Sequence, residues 1–224
     1  MKGNRKYDMI QVLFYNFYLI GIPVEKRESV LKEELQFVTG RLILRPYHKK
    51  DVDAVWKVVS SPLIYATTAF IPAEYPRKRV EWWFGMLQSA IHNRTGYELG
   101  IFLKSNGRYV GNIGVTNVRE ENHSASIAYF IDPKLWGQGF ATEAAGRMLK
   151  FAFEGLKIYR MSGSCMAHNT ASRRVMEKLG YQYEGTARAE LYKDGKFIDV
   201  SHFSLLYPEW VKRQKQEANP TKNN

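Results

Sequence analysis

Cys165 is the only cysteine in the 224-residue chain. That excludes an intramolecular disulfide framework and a cysteine-rich zinc site, and it fits a reducing compartment. On residue type alone, Cys165 reads as a small buried hydrophobe. No G-x-x-x-x-G-K-[ST] loop occurs, and no G-x-G-x-x-G opens an early βαβ unit, so Walker-type and Rossmann nucleotide binding are both unsupported. No internal repeat is visible. No segment forms a basic tail. The longest basic cluster, Arg77-Lys78-Arg79, reads as a solvated helix face, and nucleic-acid arms concentrate their charge more than this. Long apolar runs are also scarce. Residues 9–22 (MIQVLFYNFYLIGI) follow Lys2, Arg5 and Lys6 like a signal peptide, yet Gly21-Ile-Pro-Val-Glu25 offers no small-residue cleavage site. The run is too short and too aromatic for a membrane span.

The composition is that of a globular protein: 45% hydrophobic, 25% charged and 14% aromatic. The net charge is +11, from 33 Lys+Arg and 22 Asp+Glu. Such a balance suits a polyanionic partner, whether nucleic acid, anionic membrane or a phosphate-rich cosubstrate. Residues 1–38 differ from the rest and read as an N-terminal extension, with 25–38 a short amphipathic helix. The extension packs on the domain or on a partner; alternatively, translation starts near residue 36.

From residue 41 the pattern becomes regular. Arg41–Tyr47 alternates like a strand. Asp51 is placed to cap a helix running to about Ser60, and Pro76 opens a second helix with Val80, Trp83, Phe84, Leu87 and Ile91 on one stripe. Strands follow at roughly 97–104, 108–118 and 123–132, the first two joined at Asn106-Gly107. A helix spans about 140–154, a strand 158–166, and a short helix 169–179 that stops at Gly180. Strands at 182–193 and 196–206 are joined by Asp194-Gly195. The tail after Pro208 is polar and reads as loose. This order predicts an α/β fold with a mixed sheet.

Two stretches carry chemistry. In Asp132-Pro-Lys-Leu-Trp-Gly-Gln-Gly-Phe-Ala-Thr-Glu143 a strand ends, two glycines alternate, and a helix opens. Free N–H groups at a helix start, the helix dipole and glycines without Cβ together make a phosphate cradle, although a G-x-G alone also fits an ordinary strand–helix turn. In the second stretch, from Ser164 to Tyr181, Asn169 and Ser172 sit where a helix begins. Both residues fit plain capping.

Taken together, four ordered motifs make the chain resemble the GNAT acetyltransferases, and within them the RimJ/RimL type of ribosomal-protein alanine N-acetyltransferases. They are Thr39-Gly-Arg-Leu-Ile-Leu-Arg45; Leu135-Trp-Gly-Gln-Gly-Phe-Ala-Thr-Glu-Ala144; His168-Asn-x-x-Ser172 continuing to Gly180-Tyr181; and Glu184-Gly-Thr-Ala-Arg188 with Asp194-Gly-Lys-Phe-Ile-Asp199. The resemblance covers about residues 38–210. It implies a GNAT fold: a mixed, mostly antiparallel sheet with a splayed parallel strand pair, flanked by helices. It divides the chain into an extension (1–38), a GNAT domain (39–210) and a polar tail (211–224).

The resemblance also implies transfer of an acetyl group from acetyl-CoA to an amine by direct attack in a ternary complex, without a metal. The CoA pyrophosphate is expected on Gly137, Gln138, Gly139, Phe140, Ala141 and Thr142. Pantetheine is expected along the strand edge at Tyr129, Phe130 and Ile131, and on the Asn169 amide, with the splayed strands matching 126–131 and 160–165. N–H groups around Phe130 are placed to polarise the thioester carbonyl. Arg173 and Arg174 lie near CoA phosphates or on a solvated helix face. Ser172 aligns with a serine that protonates the departing thiolate, and Cys165 with a near-site cysteine. Relatives carry A-E-I-G-Y-W where this chain reads Ala125-Ser-Ile-Ala-Tyr-Phe130, so Ser126 replaces a carboxylate. Glu98, His123, Glu190 and Asp199 become the candidate bases. Each has a structural alternative: Glu98 a solvated strand end, His123 a turn residue, Glu190 and Asp199 salt-bridge partners in the last hairpin.

The expected acceptor is a protein N-terminal amine of the ribosomal-protein alanine type, in the cytoplasm. A small amine such as an amino sugar, amino acid or polyamine is the main alternative. A non-catalytic acetyl-CoA-binding module and a basic nucleic-acid-binding protein are further alternatives. Neither membrane binding nor direct nucleic-acid binding is expected, and a homodimer is compatible with the type.

Overall fold

The computed structural model describes residues 35–218. All of them fall in one compact unit that begins at Leu35. The apolar stretch at 9–22 and most of the predicted 25–38 helix therefore lie outside the described residues.

Among the described residues, eight strands form one sheet in the order β1-β2-β3-β4-β5-β6-β8-β7. They are β1 (Phe37–Val38), β2 (Leu42–Arg45), β3 (Tyr97–Leu103), β4 (Tyr109–Arg119), β5 (Ser124–Ile131), β6 (Arg160–Met166), β7 (Gln182–Lys193) and β8 (Lys196–Leu206). Every adjacent pair is antiparallel except β5–β6. The helices are α1 (Val52–Val59), α2 (Pro62–Thr67), α3 (Arg77–His92), α4 (Phe140–Lys150), α5 (Thr170–Leu179) and α6 (Tyr207–Ala218). This is the mixed α/β GNAT architecture expected from the sequence.

The apolar periodicities resolve into two cores. On one side Ala144, Ala145, Met148 and Leu149 of α4 and Met176 of α5 pack with Ile113, Val115, Ile127 and Met161. On the other, Val55 and Val59 of α1 and Val80, Phe84 and Leu87 of α3 pack with Tyr47, Phe102 and Tyr109. Alternation along the strands assigns successive residues to opposite cores.

Several expectations shift. Asp51 does not cap α1 with its side chain. Its carboxylate instead takes both guanidinium nitrogens of Arg45 (2.8 and 2.9 Å) and the His48 N–H (2.8 Å). The α2 helix has no counterpart in the sequence reading. Past Lys150, α4 continues as a π-helical turn, Phe151–Gly155. The tail after Pro208 is not loose: α6 runs to Ala218, anchored by buried Trp210 and by Glu209, which accepts the Leu206 N–H at 2.9 Å. The turn glycines behave as read. Gly107, Gly180 and Gly195 all have positive φ, and Asp194 joins Gly195 in the left-handed region.

Candidate active site

The decisive geometry is where the sheet opens. β5 and β6 pair only at Ser124–Arg160, Ala125–Met161 and Ser126–Ser162. Beyond that seam β5 runs on to Ile131 and β6 to Met166 without each other. The Asp132 N–H donates across to Val110 of β4 at 2.7 Å. In an antiparallel ladder this turns the amides of Phe130 and Ala128 toward β4 as well, and those of Tyr129 and Ile131 toward the opening. Phe130 itself therefore offers no N–H to the opening, contrary to its expected part in a strand edge there; its neighbours do. The Ile131 carbonyl is covered by the Trp136 indole N–H at 2.7 Å.

At the end of β5 lies the predicted anion loop. Gly137 and Gly139 adopt φ of +76° and +80°, which L side chains reach only at a cost of about 1–2 kcal/mol. Among the described residues, the backbone N–H groups from Gly137 to Thr142 find no acceptor; the first N–H that does is that of Glu143, bonded to the Gly139 carbonyl at 3.0 Å. A run of unpartnered donors at a helix start, with no Cβ on two of them, suits a pyrophosphate.

The loop is braced by residues of the first motif, Thr39 and Arg41. Glu143 accepts from the Thr39 hydroxyl at 2.6 Å, the Arg41 N–H at 2.8 Å and Arg41 Nε at 2.7 Å. Arg41 also donates to the Gln138 carbonyl at 2.9 Å, and its guanidinium lies 4.4 Å from the centre of the Phe140 ring. Burial alone raises the Glu143 carboxyl, but the Thr39 and Arg41 donors outweigh it and hold it below the usual glutamate value.

Ser172 and Cys165 meet on the α4–α5 side of the opening. Ser172 lies in the first turn of α5, where its N–H bonds the Asn169 side-chain oxygen at 3.1 Å. Asn169 is thus a true cap, and its Nδ2 is also engaged, to the Thr67 carbonyl at 3.2 Å. Each end keeps one free hydrogen-bonding valence. The Ser172 hydroxyl lies 2.9 Å from the Tyr129 phenol, which burial pushes up to about 12. Burial likewise raises the half-buried Cys165 thiol, with Ser172 and Arg173 opposing. A neutral hydroxyl, phenol and thiol therefore share one spot. The sequence reading gave Tyr129 a backbone role only; its hydroxyl carried no signal there. Arg173 is paired with Glu177 at 2.8 Å on a solvated helix face.

Glu98 is not beside them. It faces the α1–α3 side, since register places it opposite Gly114 of β4, and Gly114 opposite Ala128 of β5. Nor is it a solvated strand end: it is partly buried and accepts from Asn112 Nδ2 at 2.8 Å. Asn112 Oδ1 in turn accepts from the Tyr47 hydroxyl at 2.7 Å, and Tyr109 lies 3.2 Å from that hydroxyl. Burial raises the Glu98 carboxyl, with the Asn112 donor opposing. Ser126, Ala128 and Phe130 share this face.

The other candidate bases are otherwise engaged. His123 is a turn residue at φ +44°, Glu190 pairs with His202 at 2.6 Å, and Asp199 accepts the Ala189 N–H at 2.8 Å. The β7–β8 hairpin also reaches α2: Lys193 donates to the Tyr65 and Thr68 carbonyls, the latter at 2.7 Å, and Tyr65 bonds Asp194.

Residues 41–182 match the family model described as Acetyltransferase (GNAT) domain. The chain belongs to the GNAT acetyltransferases. This GNAT is 28% identical over 173 residues to the uncharacterized N-acetyltransferase YoaA of Bacillus subtilis, covering 76% of this chain and 96% of the relative. It is 25% identical over 188 residues to the [ribosomal protein uS5]-alanine N-acetyltransferase of Escherichia coli, covering 80% and 94%. Its fold matches the spermidine N-acetyltransferase from Vibrio cholerae, solved with CoA and spermine, with a TM-score of 0.68 at 18% identity over 77% of this chain and 99% of the other. The enzyme is thus an acetyl-CoA-dependent N-acetyltransferase. No helix among the described residues is long and apolar enough to cross a membrane, and no group of three or more His, Cys, Asp or Glu among them is arranged to hold a metal ion.

Proposed function

We propose that this GNAT acetylates the α-amine of a protein N-terminus by direct attack, with Glu98 as base and Ser172 as acid. The observation that carries this reading is that Ser172 borders the β5–β6 opening on the α4–α5 side, while Glu98 lies on the opposite face of the sheet with only Gly114 and Ala128 between it and the opening. Acetyl-CoA supplies the thioester. The N–H groups of Gly137–Thr142 hold its pyrophosphate, and the open edge at Tyr129 and Ile131 takes pantetheine as an added strand. A free α-amine has a pKa of about 8, so a modest base suffices to remove its proton. Glu98, raised by burial, is such a base. On the other face Ser172 gives a proton to the leaving sulfur and regains one from Tyr129, whose phenol is reprotonated by water that enters the opening once the products leave. Cys165 lines this side; its raised thiol argues against a nucleophilic role.

The relative that modifies ribosomal protein uS5 supports a protein N-terminus of the ribosomal type. A small amine is the second reading, favoured by the fold shared with the spermidine enzyme. Against a polycation, the hairpin carboxylates Glu184, Glu190, Asp194 and Asp199 are all taken by partners within the chain. A homodimer and a cytoplasmic setting remain part of this proposal.

Mass spectrometry after incubation with acetyl-CoA and a panel of peptides and small amines tests it. Acetylation at peptide α-amines, lost by about 100-fold or more in Glu98→Gln and Ser172→Ala, is expected. Transfer to polyamines alone would overturn the acceptor; transfer to nothing, despite CoA binding, would overturn the enzyme mechanism.

A further inference from the structure

Glu98 sits two strands from the opening, and adjacent strands are ~4.8 Å apart. Its reach is made by what is missing. A Cβ built on Gly114 would lie 2.2 Å from Glu98 Cγ, so the side chain occupies the volume over β4 that any other residue would fill. The residue opposite Gly114 on β5 is the small Ala128.

A directed chain of hydrogen bonds lies behind the carboxylate. Tyr47 has one hydroxyl proton, and it goes to Asn112 Oδ1. Tyr109 must then be the donor to Tyr47. With Oδ1 so occupied, the Asn112 amide can present only its NH2 to Glu98 Oε2, while Oε1 has no partner among the described residues. The Tyr47 ring is itself held by stacking on Phe84 at 4.4 Å.

We propose that Tyr47 and Asn112 are positioning residues for the base: Tyr47 fixes the direction of the Asn112 amide, Asn112 pins one oxygen of Glu98 through its NH2, and Gly114 leaves the slot along which the free oxygen reaches the acceptor amine. The inference rests on Glu98 being the base. The titratable groups facing it are Tyr47 and Tyr109, both kept neutral by burial. The carboxylates that act on those two phenols, Asp51 and Asp132, are paired with Arg45 and Arg108.

The sign follows. The Asn112 donor favours the carboxylate, so removing it raises the Glu98 pKa further and moves the acid limb of kcat/KM to higher pH. A hydrogen bond to a charged group corresponds to a shift of about one pH unit or more. The test is the pH profile of kcat/KM for a reactive peptide or amine with Asn112→Leu, Tyr47→Phe and Glu98→Gln, alongside CoA binding by calorimetry. Asn112→Leu should move the acid limb up by about one unit, and Tyr47→Phe by about half of that. Both should recover most of their activity at high pH and bind CoA within twofold of the parent, which a merely structural lesion would not reproduce. Tyr47→Phe keeps the ring and its stacking, so it answers the question if Asn112→Leu fails to fold. An unmoved acid limb with inactive Glu98→Gln would overturn the positioning role and leave the base standing. A parental profile in Glu98→Gln would overturn both.

Discussion

Gly137 and Gly139 sit in open space with left-handed backbones, whereas Gly111 and Gly114 have ordinary strand backbones and no room at all. A Cβ on Gly137 would meet nothing within 4 Å, and one on Gly139 only Arg41 at 3.5 Å. A Cβ on Gly111 would lie 2.1 Å from the Phe130 carbonyl oxygen, and one on Gly114 lies 2.2 Å from Glu98. The first pair is needed for conformation, the second for volume. On the proposed reading, the loop for the cosubstrate is therefore shaped by backbone dihedrals, and the slot beside Glu98 by close packing.

That contrast can be broken at either end. The largest effect is expected for Gly139→Asp, which adds left-handed strain of about 1–2 kcal/mol and places an anion where an anion must bind. Calorimetry should find CoA affinity reduced by about 30-fold or more, and parental affinity would sink the loop assignment. Gly114→Ala comes next. Peptide acetylation should fall by about 10-fold and stability by about 1–3 kcal/mol, with CoA affinity unchanged. A matching loss of CoA affinity would mean that the two sides are not separate.

Arg41→Ala removes a half-exposed brace, so its effect is smaller, about 1 kcal/mol or ~5-fold in CoA affinity. The smallest is a pH effect on the same brace. Glu143 is held below its unfolded value, so its contribution is complete above the ordinary glutamate pKa and lost as pH falls through the depressed one. CoA binding measured down this acid range should weaken in the parent and change less in Arg41→Ala, which has already lost the partner.

The dihedral side was legible in the sequence and the packing side was not. Alternating glycines before a helix are a local signal, and so is Asp194-Gly195, whose positive φ values close a hairpin at the boundaries read from the pattern. The Glu98 network joins residues as far as 65 positions apart, and its essential member is a missing side chain. No periodicity marks Gly114 as a slot. Ser126 announced that a carboxylate was absent from β5, and Glu98 was among four candidates, but only strand register chose its face. The short α2 escaped because its last turn is secured from outside, by Lys193 and Asn169 reaching the carbonyls of Tyr65, Thr67 and Thr68. The α6 helix escaped because a single Trp210 anchors an otherwise polar segment.

The three-residue seam between β5 and β6 also bears on how the molecule melts. Five strands precede it in the sheet order and three follow; the two blocks are hydrogen-bonded into one sheet over Ser124, Ala125 and Ser126, with the His123 carbonyl taking the Tyr159 and Arg160 N–H groups just before them. The other links are the packing of α4 and α5 across both and the hydrogen bonds from the β7–β8 hairpin to α2 and Thr68. An occupant laid along the open edge would stitch the blocks together over the residues that the strands leave apart. Its binding energy would then appear as cooperativity: a sharper thermal transition, with slowed amide exchange at Tyr129 and Ile131.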